Sequence, residues 1–540
     1  MSFGTRKIFY APQYIRRFRK PLAHPQDFPL GRIVLLVLCS LSTAWLVFLS
    51  YPKSAHAGLA WLAWVPFIWG VLKIRHFWSA FFYGWITAFL FHAGLFYWIY
   101  YTCLHGGGLS VVLSAVAWLG LCAVLSLQYA LLGGSYYFLQ KTGFLFPLLA
   151  ACGFVVLEWL HQLVAFYGLG FPWLMWGYTQ WNIPQTIQLA SYVGVYGVSF
   201  VLILTSALIG WALSRARFRY IVSCGLLAAV SWLGLCWWGD NRLAAQEWSS
   251  SSAKSLQAAV VQPNIDQYKK WNAAFEQEIV DTISQFGDEL ENQAVSLAVW
   301  PESVTPGDLS EERYFDLLQD VAVRSGAYQV IGSSVLQENR QYVGAYLMAP
   351  FAQSLQVYKK VKLVPFGEYI PLEKWVRRFF PQVAILGELG AFTPGERSQK
   401  LLQMGNILLG STICYESIFP QLWRAQARQG AQLFVNLTND AWFFDTAAPH
   451  QHLAANVLRA VETGRPVLRA ANTGISASIS SVGRIEQRSG LFTRTWLQTQ
   501  VPLQSATTPN FYVLHGDWFM WVCAVFFFTA LIFSMVFMYE

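Results

Sequence analysis

Apolar residues along this chain gather into long runs, the pattern of a protein that crosses a membrane several times. A membrane-spanning helix needs about 20 mostly apolar residues. Runs of this kind predict eight spans, at roughly 33–50, 57–72, 78–100, 109–139, 143–165, 187–214, 220–238 and 516–538. The fourth run is long enough to be tilted or to end in a turn at Gly133-Gly134.

Lys and Arg are distributed unevenly between the short loops that join these spans. The N-terminal segment and the loops after the second, fourth and sixth spans are basic. The loop after the first span holds only Lys53, and the loops after the third and fifth hold neither Lys nor Arg. Because basic loops remain in the cytoplasm, we predict that both termini are cytoplasmic and that residues 241–515 lie outside the cytoplasm.

The composition agrees with this topology. Of the 540 residues, 55% are hydrophobic and only 12% are charged, which excludes a single soluble domain. The formal net charge of +8 would also suit a nucleic-acid-binding protein. Because the basic residues follow the loop pattern, they indicate membrane topology instead, and we expect no nucleic-acid partner.

After the seventh span the pattern changes, and short buried runs alternate with segments of helical periodicity. The runs predict strands at 256–262, 295–301, 328–335, 406–414 and 432–438, and more weakly at 475–481. The periodic segments predict helices at 272–291, 310–324 and 448–463. Buried strands interleaved with helices predict an α/β layered domain, preceded by a Ser-rich hinge at 247–255.

These patterns divide the chain into four parts. They are a basic cytoplasmic segment, a seven-span transmembrane domain, a layered domain that holds the candidate chemistry and a C-terminal span, at 1–32, 33–240, 255–505 and 516–538.

The layered domain contains a single thiol. Cys414, in "GSTICYES", is the only cysteine between residues 241 and 515, so this region cannot form an internal disulfide. Cys414 ends one predicted strand, Glu302 follows another, and Lys360 lies in "VYKKVKLVPFGEY". Sites in layered α/β domains form at the carboxyl ends of strands. A proton-accepting carboxylate, a thiol nucleophile and an ammonium that stabilises an oxyanion would form an acyl-transfer set.

Each of these residues also has a structural explanation when it is taken alone. A lone cysteine at a strand end is most often a small buried hydrophobic residue. Glu302 could stabilise the first turn of a helix. Lys359, Lys360 and Lys362 would ordinarily form a solvated charged run, and no spacing rule says which residue points inward.

The order of several phrases resembles a known family. "WPES", "YKKVKLVPFGEYIP" and "GSTICYESIFP" resemble the Glu-Lys-Cys triad of the nitrilase (carbon–nitrogen hydrolase) superfamily. "LVPFGEYIPLE", "NLTNDAWF", "PHQH" and "RPVLRAANTGIS" resemble its membrane branch, the apolipoprotein N-acyltransferases. The resemblance covers nearly the whole chain apart from the N-terminal segment. It implies a nitrilase-like αββα sandwich outside the cytoplasm, joined to the eight spans in a bacterial inner membrane.

The resemblance also implies roles for single residues. Glu302 would be the general base, Cys414 the nucleophile that carries an acyl thioester, and Lys360 the oxyanion-stabilising ammonium. The remaining candidates are a second carboxylate, two residues that follow the nucleophile and a loop tryptophan near the site: Glu368, Tyr415, Glu416 and Trp271.

Two histidines, His450 and His452, raise a different possibility, because one of them could act as the base of a Cys–His dyad. They lie two residues apart without further metal-type ligands, so we interpret them as structural or gating residues. We expect no metal and no cofactor.

The resemblance implies two lipid substrates, which would explain so many spans. The acyl donor would be a glycerophospholipid, and the acceptor the N-terminal amine of S-diacylglyceryl-cysteine in a lipoprotein. The apolar segments 377–392 and 441–444 are either arms that face the bilayer or ordinary core.

Two alternatives remain open at this stage. A membrane-tethered nitrilase or amidase would use the same triad on a small amide outside the cytoplasm. A catalytically silent nitrilase-like scaffold would only bind a membrane partner and would have no reason to keep all three residues.

Overall fold

Helices form the first half of the chain and its C-terminus, and strands begin only after residue 254. The computed structural model describes residues 30–168, 170–251, 254–270, 272–351, 355–379, 392–505 and 509–536. The helices are α1 (Leu30–Ser50), α2 (Val65–Val71), α3 (Phe77–Leu95), α4 (Tyr97–Tyr101), α5 (Val111–Leu125), α6 (Leu127–Leu139), α7 (Phe146–Phe166), α8 (Pro184–Ile187), α9 (Ala190–Arg215), α10 (Phe218–Ser251), α11 (Glu276–Leu290), α12 (Glu312–Ser325), α13 (Glu373–Phe379), α14 (Pro420–Arg428), α15 (Ala448–Thr463), α16 (Phe511–His515) and α17 (Trp518–Val536).

Two sheets follow in the second half. Their strands are β1 (Ser255–Gln262), β2 (Leu297–Val299), β3 (Tyr328–Gln337), β4 (Arg340–Met348), β5 (Gln356–Lys359), β6 (Leu402–Met404), β7 (Ile407–Ile413), β8 (Leu433–Thr438), β9 (Val467–Ala471), β10 (Ala477–Ile479), β11 (Ile485–Arg488) and β12 (Thr495–Pro502).

Within the described residues, five helical segments are long and apolar enough to cross a membrane. They are Leu30–Ser50, Val111–Phe166, Ala190–Arg215, Phe218–Gln246 and Trp518–Val536. The pair Phe77–Leu95 and Tyr97–Gly106, bent by 55°, adds a sixth if it counts as one span. The count of eight is therefore not reached by length and composition alone.

The helices differ from the eight predicted spans at two places. Residues 57–72, predicted as the second span, form a short 3₁₀ turn and α2, and Pro66 lies in the first turn of α2. The fifteen residues Ala57–Val71 would extend about 22 Å as a helix, against roughly 30 Å of hydrocarbon. The predicted fourth and fifth spans belong to the single segment Val111–Phe166, which Gly143 (φ 64°, ψ −121°) interrupts.

Gly133 and Gly134 do not end the predicted fourth span in a turn. Both are buried inside α6, where they face α3. A Cβ on Gly134 would lie 2.8 Å from the ring of Phe77, and one on Gly133 would lie 3.3 Å from Cα of Gly84. These glycines therefore allow two helices to approach closely, as small residues do between membrane helices.

The predicted hinge at 247–255 is also shifted. Helix α10 continues to Ser251, past the predicted end of the span at residue 238. No Gly or Pro follows Gly239 in this stretch, so nothing in the backbone stops the helix earlier.

All six predicted strands and the three predicted helices of the layered domain are confirmed, as β1, β2, β3, β7, β8 and β10 and as α11, α12 and α15. The two sheets have the strand orders β12-β1-β2-β3-β4-β5 and β11-β10-β9-β8-β7-β6. Three central strands of each sheet, β1-β2-β3 and β7-β8-β9, are parallel. The pattern did not predict the six other strands.

Alternating residues of β1 show how the layers form. Ala259 and Val261 pack with Ile283 of α11 and the other apolar residues that cover the outer face of the first sheet. Ala258 and Val260 belong instead to the core that includes β8 and β9 of the second sheet. The domain is thus a sandwich of two sheets between layers of helices, the αββα arrangement that the resemblance implies.

Helix α15 connects this sandwich to the membrane helices. Gln451 Oε1 accepts hydrogen bonds from the indoles of Trp98 (3.2 Å) and Trp173 (2.9 Å), and its Nε2 donates to the carbonyl of Leu95 (3.2 Å). At the other end of α15, Glu462 accepts from the backbone of Val195 in α9 (2.8 Å). These contacts fix one side of the layered domain to the apolar half of the chain.

Candidate active site

A buried ammonium lies between two carboxylates at the edge of the first sheet where the carboxyl ends of its parallel strands lie. Lys360 directly follows β5, and its Nζ donates to Oε1 of Glu302 (2.9 Å) and to Oε1 of Glu368 (2.5 Å). The Lys360 side chain is completely buried, and the Glu302 and Glu368 side chains are 9% and 14% exposed. The alternative of a solvated lysine run is therefore wrong for Lys360.

Backbone contacts hold each member of this group. Lys360 N donates to the carbonyl of Val343 in β4 (2.8 Å), Val364 N donates to Glu368 Oε2 (2.9 Å), and Asn439 N donates to Glu302 Oε2 (3.1 Å). Although burial opposes the charge, the two carboxylates raise the pKa of Lys360 well above its ordinary range. The ammonium is thus charged at any physiological pH.

Cys414 is the residue that follows β7. It is 7% exposed and begins a 3₁₀ turn. Its backbone φ is 48°, a left-handed value that residues other than glycine rarely adopt. Ser303, next to Glu302, has a φ of 49°, and Phe366, next to the Gly367-Glu368 pair, has a φ of 62°. Backbone strain gathers at functional sites, and three such residues lie in or beside this group.

The charges of Glu302 and Lys360 act on the Cys414 thiol in opposite directions. Burial and the Glu302 carboxylate raise the pKa of the thiol, and the Lys360 ammonium and the Thr438 hydroxyl lower it. The balance keeps the pKa above its ordinary value, so the resting group is a thiol. A proton acceptor is then needed at the moment of attack, and Glu302, whose charge acts on the thiol, is the candidate.

Glu416 supports this arrangement without touching the ammonium. Its Oε1 accepts from the backbone N–H groups of Val361 (2.6 Å) and Lys362 (3.1 Å), and its Oε2 accepts from that of Ile413 (2.8 Å). The Tyr358 hydroxyl contacts both oxygens, at 3.0 and 3.1 Å. Burial raises the pKa of Glu416 to about 7, whereas these donors favour the ionised form. Glu416 joins the Cys414 turn to the Lys360 segment.

Tyr415 points away from the charges and toward the membrane helices. Its ring stacks on Phe171 and Trp173, with centroids 5.9 and 6.4 Å apart, and meets Phe419 edge-on at 5.2 Å. Phe171 and Trp173 belong to the loop between α7 and α8. Aromatic residues of the membrane half therefore cover the turn that carries the thiol.

The His452 side chain contacts the backbone of the candidate nucleophile, Cys414. Nε2 of His452 lies 3.0 Å from the Cys414 carbonyl oxygen, so it donates there, and Nδ1 lies 2.9 Å from Oδ1 of Asp440. Burial and Arg469 lower the pKa of His452, and Asp440 opposes them. The geometry favours the structural reading of His452 over a Cys–His dyad.

Asp440 and Arg469 complete that network and were not predicted. Arg469 donates to Asp440 Oδ2 (2.6 Å) and to Asn436 (2.7 Å), and all three side chains are buried. The Arg469 and His452 charges hold the pKa of Asp440 at about 2 despite its burial. Two charged residues inside the runs "NLTND" and "VLRAA" were the only sequence signal for this network.

Lys270 was also missed by the sequence reasoning. It is 1% exposed, its Nζ lies 3.4 Å from the Glu302 carbonyl oxygen, and burial lowers its pKa to about 8. The next residue, Trp271, lies outside the described residues, as do residues 380–391 of the predicted arm 377–392. In the other predicted arm, 441–444, the Phe443 ring packs on the rings of Trp98 and Trp173, with centroids 5.0 and 5.7 Å apart. Phe443 therefore belongs with Phe171 and Trp173 to the aromatic residues over the Cys414 turn, here called the aromatic cover.

Comparison with known proteins adds an independent observation. The carbon–nitrogen hydrolase family model matches residues 257–508, and the model of the apolipoprotein N-acyltransferase N-terminal domain matches residues 43–208. The apolipoprotein N-acyltransferase of Geobacter metallireducens is 34% identical over 499 residues, which are 88% of this chain and 91% of that protein. The one from Methylococcus capsulatus is 32% identical over 437 residues, 78% of this chain and 81% of that protein. A CN-hydrolase superfamily protein of Xanthomonas campestris aligns in structure over 46% of this chain and 91% of that chain, with 16% identity and a TM-score of 0.36.

We predict that Gly332→Ala displaces Glu302. A Cβ on Gly332, in β3, would lie 2.5 Å from Cα of Glu302, so one of the two backbones must shift. A displacement near 1 Å should lower the rate of thiol acylation by roughly 100-fold. Gly490→Ala is the control, because its new Cβ would meet only the Thr493 side chain, at 3.2 Å. A wild-type acylation rate in Gly332→Ala would show that the position of Glu302 does not affect acylation of Cys414.

We also predict that Glu302→Gln makes Cys414 easier to alkylate. The substitution removes a negative charge that raises the pKa of the thiol, so more thiolate is present at pH 8. Iodoacetamide labelling of Cys414, followed by peptide mass spectrometry over a pH series, should then be faster by roughly tenfold at pH 8. The exposed Glu278→Gln should leave the profile unchanged. A labelling profile in Glu302→Gln that matches the wild-type profile would show that the carboxylate does not act on the thiol.

Proposed function

Because this chain belongs to the apolipoprotein N-acyltransferase family, we propose that it acylates lipoproteins through a covalent intermediate on Cys414. The family membership gives the overall reaction, the N-acylation of an apolipoprotein by an acyltransferase. The observation that carries the mechanism is the buried Glu302–Lys360–Glu368 group beside a thiol at a left-handed turn. We propose that the acyl donor is a glycerophospholipid and that the acceptor is the free amine of an S-diacylglyceryl-cysteine.

In the first half-reaction, Glu302 takes the proton of Cys414 as the sulfur attacks an ester carbonyl of the phospholipid. The negative charge that develops on the carbonyl oxygen is stabilised by the Lys360 ammonium. Glu302 then returns the proton to the glycerol oxygen as the ester C–O bond breaks. The products are a thioester on Cys414 and a lysophospholipid.

The second half-reaction uses the same groups, but the sulfur is now the leaving group and not the nucleophile. The α-amine of the acceptor attacks the thioester carbonyl, and Glu302 takes the proton that the amine loses. The C–S bond breaks, an amide forms, and the sulfur recovers its proton from Glu302. Glu368 keeps Lys360 charged and oriented in both halves, because its carboxylate is the second partner of the ammonium.

A thioester must be protected from water until the amine arrives. We propose that the aromatic cover supplies this protection, since Phe171 and Trp173 pack on Tyr415, next to the nucleophile. Excluding water also strengthens the electrostatic stabilisation inside the site. A small-amide amidase would have no use for a cover supplied by the membrane half of the chain.

We further propose the membrane arrangement that the basic loops predict. Val111–Phe166 counts as two spans divided at Gly143, and the bent pair counts as one. Ala57–Val71 counts as one short span that the bilayer accommodates by thinning locally, which gives eight with the four other long helices. Both termini would then lie in the cytoplasm, and the domains 33–240, 255–505 and 516–538 would place the site on the periplasmic side of the inner membrane. The acyl chains of both substrates would reach it from the bilayer.

The direct test is to trap the intermediate. Incubation with phosphatidylethanolamine that carries a labelled acyl chain should add one acyl group to the protein, seen by intact-protein mass spectrometry and removed by hydroxylamine. Cys414→Ala should lose the adduct and the transfer to a diacylglyceryl-cysteine peptide, and Cys103→Ala, at a half-buried cysteine elsewhere, should keep both. Transfer that persists in Cys414→Ala would leave the mechanism without its nucleophile. An adduct that hydrolyses without reaching the peptide would favour a hydrolase.

A further inference from the structure

Two cations, Lys362 and Arg397, meet where α7 ends. Lys362 Nζ lies 4.1 Å from the centroid of the Phe166 ring, and the Arg397 guanidinium lies 5.1 Å from the same ring and 5.2 Å from that of Tyr167. Neither cation forms an ion pair with any carboxylate of the described residues. Two like charges on one ring form a site that an anion would stabilise.

Glu416, the carboxylate whose charge acts on Lys362, is already engaged. Its oxygens accept the N–H groups of Val361, Lys362 and Ile413 and the Tyr358 hydroxyl. The Lys362 ammonium instead donates to the carbonyl of Phe166. Burial and the neighbouring Arg397 lower the pKa of Lys362 to about 8, although Glu416 opposes them.

The position of these cations suits a lipid headgroup. Phe166 is the last residue of an apolar helix, and Tyr167 after it is 67% exposed. Exposed aromatic residues at the end of a span mark the level of the headgroups. Half-buried Lys362 and exposed Arg397 therefore lie at the depth where the phosphates of a bilayer lie.

The same place is close to the thiol. The Phe166 ring contacts Phe419 (6.0 Å between centroids), and Phe419 contacts Tyr415 (5.2 Å), which follows Cys414. Lys362 is also two residues from Lys360, which faces the reacting carbonyl in the proposed mechanism. One lipid molecule could place its phosphate against the cations and its ester against the sulfur.

We infer that Lys362 and Arg397 bind the phosphodiester of the glycerophospholipid that donates the acyl chain. This inference rests on the proposed function. It also explains how one site distinguishes two substrates that both carry diacylglyceryl groups, because only the donor carries a phosphate. Arg and Lys at an interface bind phosphate through charge-assisted hydrogen bonds.

Lys362 also has a structural role, which the test must separate from binding. Its ammonium donates to the carbonyl of Phe166, where a cation stabilises the C-terminal end of a helix. Loss of that contact would affect both half-reactions alike, whereas loss of phosphate binding would affect only the first.

The experiment measures the two half-reactions separately in Lys362→Ala, Arg397→Ala and the double variant. For acyl-enzyme formation from phosphatidylethanolamine, we expect KM to rise roughly tenfold in each single variant with little change in kcat. Lys362→Arg should restore KM. Formation of the acyl-enzyme from a p-nitrophenyl ester of the same fatty acid, and its transfer to a diacylglyceryl-cysteine peptide, should keep wild-type rates. Lys359→Ala is the matched control, since Lys359 packs on Tyr342 instead.

An unchanged KM for phosphatidylethanolamine would overturn the inference, and so would an equal loss with the phosphate-free ester. Soluble glycerophosphoethanolamine should compete with the phospholipid more strongly than inorganic phosphate does. Equal competition by inorganic phosphate would assign the cations to a free anion instead of a lipid. If wild-type protein forms the acyl-enzyme from the p-nitrophenyl ester but never from phospholipid, the proposed donor itself is wrong.

Discussion

The site depends on one electrostatic arrangement, the Lys360 ammonium held between the carboxylates of Glu302 and Glu368 away from water. Removing one partner from a buried ion pair costs about 3–5 kcal/mol, because the remaining charge stays buried and unpaired. The arrangement therefore fixes the segments after β2 and β5 relative to each other. Once they are fixed, one carboxylate oxygen of Glu302 contacts the Lys360 ammonium and the other accepts from the backbone N–H of Asn439. The Cys414 thiol, which follows β7, is then influenced by both the Glu302 and the Lys360 charge.

A second constraint acts on the backbone of the nucleophile. Cys414 adopts a left-handed conformation, and that strain persists only because its surroundings determine it. Glu416 anchors the turn to the Lys360 segment, and His452 holds the Cys414 carbonyl from the other side, with Asp440 and Arg469 behind it. The thiol is thus presented by contacts from three distant parts of the chain, in agreement with its reactive role in the proposed mechanism.

The sequence predicted the elements with strong local signals and missed those defined by distant contacts. Glu302, Lys360 and Cys414 could be found because each follows a buried strand or lies in a distinctive phrase, and Lys360 could be chosen over its neighbours only through the resemblance. The Asp440–His452–Arg469 network joins residues 12 and 29 positions apart, which no periodicity reveals. Strand β4 was missed because it begins with the polar residues Arg340 and Gln341, although residues 343–348 are buried, and β5 was missed because only one of its four residues is buried. Helix α10 extended into the predicted hinge because serine does not by itself stop a helix.

In the proposed mechanism the Lys360 charge serves the reaction and not only the fold. This role is tested most directly by the single-turnover rate of Cys414 acylation in Lys360→Met combined with Glu368→Gln, a pair that removes the ammonium and one carboxylate charge together. Thermal unfolding in detergent would confirm that the variant is folded. Acylation is expected to slow by roughly 100- to 1,000-fold in the folded variant, the effect of losing one oxyanion donor. A folded variant that acylates Cys414 at the wild-type rate would contradict this role of Lys360.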